Sequence, residues 1–211
     1  GCCAIVAHKD FADHFADAEA ALRISRGDLE GWQNFETLIA ADTDAPLPVT
    51  TTFDAPWRLV STGGTTGKSK GVLHSHVGTL FTVLADIAEY GIGRGWQTLS
   101  ILPTYHVAGM EWGLFTILWR AGTVVFPADT SFNPHIEYLA LVPAVINPLF
   151  GAWDGVPLMG PRTVVTTAAP TSPPLRAKLV EMFPEANVLA AAGLSESLNL
   201  ATQGPGEFLT D

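Results

Sequence analysis

The sequence has little charge of either sign, and positive charge is the scarcer. Charged side chains make up 15% of the 211 residues, whereas about a quarter is usual in a soluble domain. The 21 Asp and Glu residues outnumber the 11 Lys and Arg residues, which gives a net charge of −10. Such a field repels phosphate backbones and anionic lipids, so the sequence disfavours nucleic-acid binding and membrane-surface binding. The shortage of charge also predicts a surface that a partner or further chain covers.

Cysteine is nearly absent, and so are long apolar runs. Cys2 and Cys3 are adjacent, which excludes a disulfide framework and a spaced thiolate metal site, so a reducing, cytoplasmic compartment is expected. No signal peptide opens the sequence, and two charged residues interrupt its longest apolar stretch, 107–126, so no transmembrane segment is predicted. The first residue is Gly1, not Met, which indicates a fragment or a processed chain.

The residue pattern changes near residue 50, where a Pro- and Thr-rich connector ends. Beyond it, short apolar segments alternate with segments of helical periodicity, which is typical of an α/β layered domain with a largely parallel sheet. We therefore expect a partial leading segment and linker at 1–50 and a domain at 51–211. Strands are predicted at 57–61, 98–102, 123–126, 139–142, 163–166 and 188–191, and helices around 80–88, 114–118, 145–149 and 175–182.

A glycine-rich loop, STGGTTGKSKG at 61–71, lies between a predicted strand and a predicted helix. Its three inner glycines let successive backbone amides face an anion, its threonines add hydroxyl donors, and Lys68 and Lys70 add positive charge. Ligands of α/β folds gather in loops beyond the carboxyl ends of the strands. The loop is therefore predicted to hold a polyphosphate, with a flexible surface turn as the alternative.

The P-loop of nucleotide triphosphatases is one motif to compare with this loop. Its pattern is GxxxxGK[ST], and Gly67, Lys68 and Ser69 supply the second half. Thr62 stands where the first glycine belongs, and no clear apolar strand ends in an aspartate that would hold magnesium. A P-loop NTPase is therefore the less favoured hypothesis, and it depends on Lys68 more than on Lys70.

A second motif fits better. TGGTTGKSKGV, 62–72, resembles the TSGTTGxPKGV signature of the adenylate-forming acyl-CoA synthetases and AMP-dependent ligases, and a histidine-rich turn follows it. Further segments are similar to motifs of that family in the same order. They are SILPTYHVAGM at 100–110, AGTVV at 121–125, LVPAVINPLF at 141–150, and the run from AAPTSPP to GLSES at 168–197. The resemblance covers roughly residues 54–200 and implies the central part of the family's large N-terminal domain.

The resemblance implies an activity and its cofactors. Members of the family use ATP and Mg²⁺ to convert a carboxylic acid to an acyl adenylate, and many pass the acyl group to coenzyme A. The low charge between Tyr105 and Phe115 favours an apolar acyl group, a fatty or aromatic acid, with an amino acid or a luciferin-like acid as the alternative. The small C-terminal lid domain of the family, with its catalytic lysine, lies outside this sequence, so the chain by itself is expected to be inactive or nearly so.

The resemblance also implies site residues. His106 would lie between the carboxylate tunnel and the nucleotide, and Ser195 would contact the α-phosphate. The Glu196 carboxylate and the Thr62 hydroxyl would coordinate Mg²⁺. The implied catalytic residues are His106, Ser195, Glu196 and Lys70. The implied ATP-binding residues are Thr62, Gly63, Gly64, Thr65, Thr66, Gly67, Lys70, Gly71, Ala168, Ala169, Pro170, Ala192, Gly193, Leu194 and Ser195.

Three positions depart from the family pattern. Gly63 and Ser69 replace a serine and a proline, and Ala192 stands where an aromatic residue usually stacks on adenine. These changes motivate a second hypothesis, a non-catalytic nucleotide-binding protein of the same fold. A metal site at His74 and His76 is disfavoured because no third ligand lies nearby in the sequence.

Overall fold

The computed structural model of the protein describes residues 2–41, 50–62, 69–126 and 135–204. The chain divides into two compact units, Gly1–Thr50 and Thr51–Asp211. The glycine-rich positions 63–68 lie outside the described residues, so the structure bears on the loop only through its two flanks.

The first unit is built on a small parallel sheet. Its elements are β1 (Ala4–His8), a 3-10 helix (Lys9–Phe15), β2 (Leu22–Arg26), β3 (Gln33–Asn34) and α1 (Phe35–Ala40). Strands β1, β2 and β3 pair in that order, and both pairs are parallel. The Asn34 side chain accepts a hydrogen bond from the Thr37 amide at 2.9 Å, so α1 begins with a capped amide.

The second unit contains a larger, mostly parallel sheet. Its strands are β6 (Gln97–Leu99), β7 (Thr123–Val125), β8 (Tyr138–Leu141), β9 (Thr163–Thr166), β10 (Asn187–Leu194) and β11 (Ser197–Gln203). In the described part of the chain they lie in the order β11-β10-β9-β8-β6-β7, and β10 with β11 is the one antiparallel pair. Every residue of β8 and β9 is buried, as expected for central strands covered on both faces.

Helical segments connect these strands. They are α2 (His76–Glu89), α3 (Val107–Met110), a π-helical turn (Glu111–Phe115), α4 (Thr116–Trp119), α5 (Pro143–Ala152) and α6 (Pro173–Met182). Both α5 and α6 begin with proline, which the first helical turn tolerates because its amides have no partner within the helix. None of the described helices combines the length and the apolar character that crossing a membrane requires.

The sheet separates two hydrophobic cores. Alternate residues of β8 enter different clusters, since Tyr138 and Ala140 pack in the first while Leu139 and Leu141 pack in the second. Successive side chains of a strand point to opposite faces, so the two clusters lie on the two sides of the sheet. This layering confirms the predicted α/β fold, and each predicted strand and helix overlaps an observed helix or strand.

The environment of the glycine-rich loop differs from the prediction. Strand β4 (Pro56–Thr62) does not join the parallel sheet, because it pairs antiparallel with β5 (Lys70–Ser75), a strand that the periodicity did not reveal. Helix α2 begins only at His76, after the Ser75 hydroxyl, which accepts from the Gly78 amide at 3.1 Å. The loop therefore connects two strands of a hairpin, and the predicted strand-to-helix connection is wrong.

Candidate functional site

A cavity of about 780 Å³ opens at the carboxyl ends of the parallel strands. Residues that follow β6, β8 and β9 line it, together with the ends of β4 and β10. Parallel strands bring such segments to one edge of a sheet, which is where ligands of α/β proteins bind. The lining residues are Val60, Ser61, Ile101, Leu102, Pro103, His106, Val107, Ala108, Gly109, Trp112, Val142, Pro143, Ala144, Val145, Thr167, Ala168, Ala169, Gly193, Leu194 and Ser195.

The cavity brings together several of the residues that the sequence implicated. His106, Ala168, Ala169, Gly193, Leu194 and Ser195 all line it. Pro170 and Ala192 line a neighbouring cavity of about 530 Å³, which shares Ala168, Ala169 and Gly193 with the first. Segments that lie almost ninety positions apart in the sequence thus meet at one edge of the sheet.

Four of the remaining implicated residues, Thr62, Lys70, Gly71 and Glu196, lie on the two hairpins beside the cavity. Thr62 and Lys70 face each other as the last pair of β4 and β5, next to Gly71, and Lys70 is exposed. Glu196 is exposed in the turn between β10 and β11. Gly63, Gly64, Thr65, Thr66 and Gly67 lie outside the described residues.

This hairpin argues against the P-loop hypothesis. A P-loop leads from a strand directly into a helix, whose N-terminus faces the phosphates. Here the Ser69 hydroxyl donates to the Thr62 carbonyl at 2.8 Å, across the mouth of a hairpin, and five further residues of strand follow Lys70. The structural context that the motif needs is therefore missing.

His106 occupies the start of α3. Its amide donates to the Pro103 carbonyl at 3.0 Å, and its own carbonyl accepts from the Met110 amide at 3.0 Å. The imidazole itself is exposed and lies beside Tyr105, with the ring centroids 4.8 Å apart. The turn is tight because Gly109 packs on it, where a Cβ atom would lie 2.1 Å from the Pro103 oxygen. The close approach of Gly109 to the Pro103 oxygen thus explains why a glycine stands six residues after the proline in the LPTYHVAG segment.

The backbone is irregular at two other points of the cavity wall. Ala168, directly after β9, has φ +70°, in the left-handed region that a residue with a Cβ atom adopts at a cost of about 1–2 kcal/mol. Gly193 lies at a bulge where the β10 register shifts between Ala192 and Leu194. Strained or bulged backbone of this kind clusters at binding sites, where it aims groups at a ligand.

A buried charged cluster lies behind the site, and the sequence analysis did not find it. The Arg58 guanidinium forms an ion pair with Glu111, whose side chain is only 2% exposed. His74 stands between this pair and the turn formed by Ser195 and Glu196. Its Nδ1 lies 3.1 Å from Arg58 Nη2, and its Nε2 lies 2.8 Å from the Ser195 carbonyl oxygen. We name Arg58, His74 and Glu111 the buried cluster.

The surroundings of His74 favour its neutral form. Burial lowers the pKa of the imidazole, and the Arg58 charge lowers it further, while the Ser195 carbonyl and the Glu196 charge act in the opposite direction. The one signal in the sequence was a glutamate inside an apolar stretch, since a carboxylate at such a position needs a buried partner. The position of Glu111 in the sequence does not identify Arg58 as that partner.

A second buried polar contact supports the floor of the cavity. The Trp112 indole donates to Asp86 Oδ2 at 2.8 Å, and Asp86 on α2 is 0% exposed. Trp112 lines the cavity while its Nε1 hydrogen points away into this carboxylate. The ring therefore presents an apolar surface to whatever occupies the cavity.

Thr62 and Glu196 are the candidate metal ligands. Across 2–41, 50–62, 69–126 and 135–204, no group of three His, Cys, Asp or Glu side chains forms a metal site. One carboxylate, on Glu196, and one hydroxyl, on Thr62, are nevertheless a sufficient protein contribution for Mg²⁺, because that ion takes hard oxygen ligands and completes its shell with phosphates and water. The donor set fits Mg²⁺ bound together with a nucleotide.

The sequence is similar to one protein family and to several curated proteins. The profile of the AMP-binding enzyme family matches residues 2–208. The chain is 31% identical to the 4-coumarate–CoA ligase-like 2 protein of Arabidopsis thaliana over 160 residues, which are 68% of this chain and 27% of that protein. It is 29% identical to the indoleacetate–CoA ligase of Aromatoleum aromaticum over 167 residues, 73% of this chain and 33% of that protein.

A solved structure shows the same fold. ATP-bound MatB from Rhodopseudomonas palustris superimposes with a TM-score of 0.77 at 19% identity, over 96% of this chain and 42% of that protein. The chain spans about a quarter to a third of the length of the curated relatives it matches, 27% and 33% for the two above.

Proposed function

Because the chain belongs to the AMP-binding enzyme family, we propose that it supplies the nucleotide- and acyl-binding part of a ligase that activates a carboxylic acid with ATP and transfers it to coenzyme A. The observation that carries the proposal is one cavity at the carboxyl edge of the sheet, which His106, Ala168 and the Gly193–Ser195 segment line together. Two hairpins flank it, one with Thr62 and Lys70 as the last described pair of its strands, the other with Glu196 in its turn.

In the proposed reaction, a carboxylate oxygen bonds to the α-phosphorus of ATP as the bond to the pyrophosphate oxygen breaks. The thiol of coenzyme A then takes the acyl group and AMP leaves. Since the protein forms no covalent bond, its residues act by placing the two reactants and by stabilising negative charge. Bound Mg²⁺ would neutralise phosphate charge, held by Glu196 and the Thr62 hydroxyl. Lys70 adds a cation at the base of the loop.

The tip of the second hairpin provides the first test. Glu196→Gln removes the carboxylate charge without changing the shape of the side chain. Because Mg²⁺ then loses one charged ligand, we expect Mg²⁺-ATP to bind about tenfold more weakly. Equilibrium titration with ATP in excess Mg²⁺ measures this. In EDTA the variant and the parent chain should bind ATP within about twofold of each other.

The matched control is Glu185→Gln, because Glu185 is an exposed carboxylate just before β10, outside both cavities. It changes the net charge by the same amount and should leave Mg²⁺-ATP binding unchanged. Equal weakening in both variants would attribute the effect to overall charge and remove Glu196 from the site.

The lining of the cavity also bears on the acid. Among the described residues that line it, His106 is the one titratable side chain, and most of the others are aliphatic or aromatic. A second charge on the acyl group would be buried there without a partner. The free-energy cost of burying an unpaired charge is larger than the contribution of one hydrogen bond. We therefore extend the proposal to a neutral apolar acid, fatty or aromatic.

Two acyl-sulfamoyl adenosine analogues separate the acid classes. One carries a neutral aromatic acyl group, and the other carries the same group with an added carboxylate on the ring. We expect the neutral analogue to bind at least about tenfold more tightly. Adenosine monophosphate serves as the control for the nucleotide half. Equal affinity of the two analogues would contradict an apolar acyl site.

A further inference from the structure

His74 connects parts of the second unit that are distant in the sequence. It lies on β5, its Nδ1 faces Arg58 on β4, and its Nε2 reaches the Ser195 carbonyl, 121 positions further along the chain. Glu111, in the π-helical turn after α3, holds Arg58 from the other side. One imidazole therefore joins the hairpin of the glycine-rich loop to the turn that carries Glu196.

The partners of His74 determine its tautomer. A guanidinium has only N–H donors, so Nδ1 must accept the hydrogen bond from Arg58. A carbonyl oxygen only accepts, so Nε2 must carry the hydrogen and donate it to Ser195. The neutral Nε2–H form satisfies both neighbours, in agreement with the lowered pKa of this group.

Arg58 is itself held in place, which fixes the direction of the imidazole. Besides the ion pair with Glu111, its Nη1 lies 2.9 Å from Met110 Sδ, and its Cζ lies 4.7 Å from the centre of the Trp57 ring. Its side chain is 10% exposed. A guanidinium confined on several sides offers His74 a donor in one position, so the Nε2 hydrogen is aimed at Ser195.

A bulge separates the turn that receives this hydrogen bond from the regular pairing of its two strands. In the described register, β10 and β11 pair regularly up to Ala192, opposite Ala201, and beyond the bulge the Leu194–Ser197 pair alone closes the hairpin. Ser195 and Glu196 form the turn itself, and the bond from His74 reaches it from outside the hairpin.

We propose that His74 is a positioning residue for the nucleotide site, and that its Nε2–H bond to the Ser195 carbonyl holds the Ser195–Glu196 turn against the cavity. The inference rests on the proposed function for its consequence in ATP binding, but the positioning of the turn is independent of it. His74 does not touch a reacting atom in this role; it acts through the backbone of Ser195.

Two substitutions separate the contacts of His74. In His74→Gln the amide nitrogen is as many bonds from Cα as Nε2, so it keeps a donor for Ser195. In His74→Asn the side chain ends near the position of Nδ1, so it keeps an acceptor for Arg58 and loses the bond to Ser195. The pair thus changes the contact to the turn while both side chains stay polar and uncharged.

Amide hydrogen exchange reports on the turn directly. In His74→Asn we expect exchange at 194–197 to accelerate about tenfold, the equilibrium effect of one lost hydrogen bond, while amides of β8 and β9 keep the protection of the parent chain. In His74→Gln the turn should return to within about threefold of the parent. The Mg²⁺-ATP affinity should fall about tenfold in His74→Asn and recover in His74→Gln.

Each outcome has a distinct meaning. Parent-like exchange at 194–197 in His74→Asn would overturn the inference, and so would equal acceleration in both variants, since that is the result of lost packing alone. Acceleration in β8 and β9 as well would reduce His74 to a general structural residue. If the exchange pattern holds but the parent chain binds no Mg²⁺-ATP, the positioning role stands and the proposed function fails.

Discussion

Glu111→Ala is expected to lower the free energy of unfolding of the second unit by about 3 kcal/mol, because it leaves the Arg58 charge buried without its partner. The Glu111 side chain is 2% exposed and that of Arg58 is 10% exposed, so water replaces little of the lost interaction. A loss of this size is a large fraction of the roughly 5–15 kcal/mol that stabilises a typical domain. Urea unfolding followed by circular dichroism measures it.

Two further variants make the interpretation specific. The double variant Arg58→Met with Glu111→Leu removes both charges and keeps apolar volume, so it should recover most of the stability that Glu111→Ala loses. Glu89→Ala removes an exposed carboxylate from α2 and should change stability by less than about 0.5 kcal/mol. A loss below about 1 kcal/mol in Glu111→Ala would show that the buried cluster contributes little to the fold.

Gly109→Ala is expected to cost about 2–3 kcal/mol and to weaken ligand binding as well. The added Cβ would lie 2.1 Å from the Pro103 oxygen and 3.0 Å from the Leu102 oxygen, and both are backbone atoms that no rotamer change can move away. The backbone of 102–106 must therefore shift. Because Leu102, Pro103 and His106 line the cavity, the shift deforms the site as well as the fold.

The control for this substitution lies four residues further on. A Cβ at Gly113, in the π-helical turn, would meet nothing within 4 Å, so Gly113→Ala should be neutral or stabilise by up to about 1 kcal/mol through the lower backbone entropy of alanine. In urea unfolding, Gly109→Ala should thus lose stability while Gly113→Ala keeps or gains it, and Gly113→Ala should bind Mg²⁺-ATP as the parent does. Similar losses in both variants would refute the steric explanation.

The local structure of a motif could be predicted from the sequence where the motif carries its own geometry. The LPTYHVAG segment depends on contacts within eight residues, and the structure shows its glycine packed on its proline. The strands β8 and β9 were visible as short runs of apolar and β-branched residues, because both of their faces are buried. A parallel sheet aligns the carboxyl ends of its strands. For this reason one cavity is lined by His106, Ala168, Gly193 and Ser195.

The prediction failed where pairing partners decided the outcome. Residues 70–75 begin with the charged Lys70, end with the polar His74 and Ser75, and have apolar residues between them. This pattern is too short to distinguish a strand from the start of a helix. Pairing with β4 makes this segment a strand, and the Ser75 cap moves the helix start to His76. Strand β11 was missed for the same reason, since its place at the sheet edge comes from β10.

The α/β layering, the family and the residues that gather at the carboxyl edge could be predicted from the sequence, because periodicity and short motifs record contacts between near neighbours. Tertiary structure alone decided that the loop belongs to a hairpin and that Arg58, His74 and Glu111 form one buried cluster. His74 has partners 16 and 121 positions away. The residues next to His74 in the sequence do not specify partners at such distances. These polar groups lose their water and contact one another only when the chain folds.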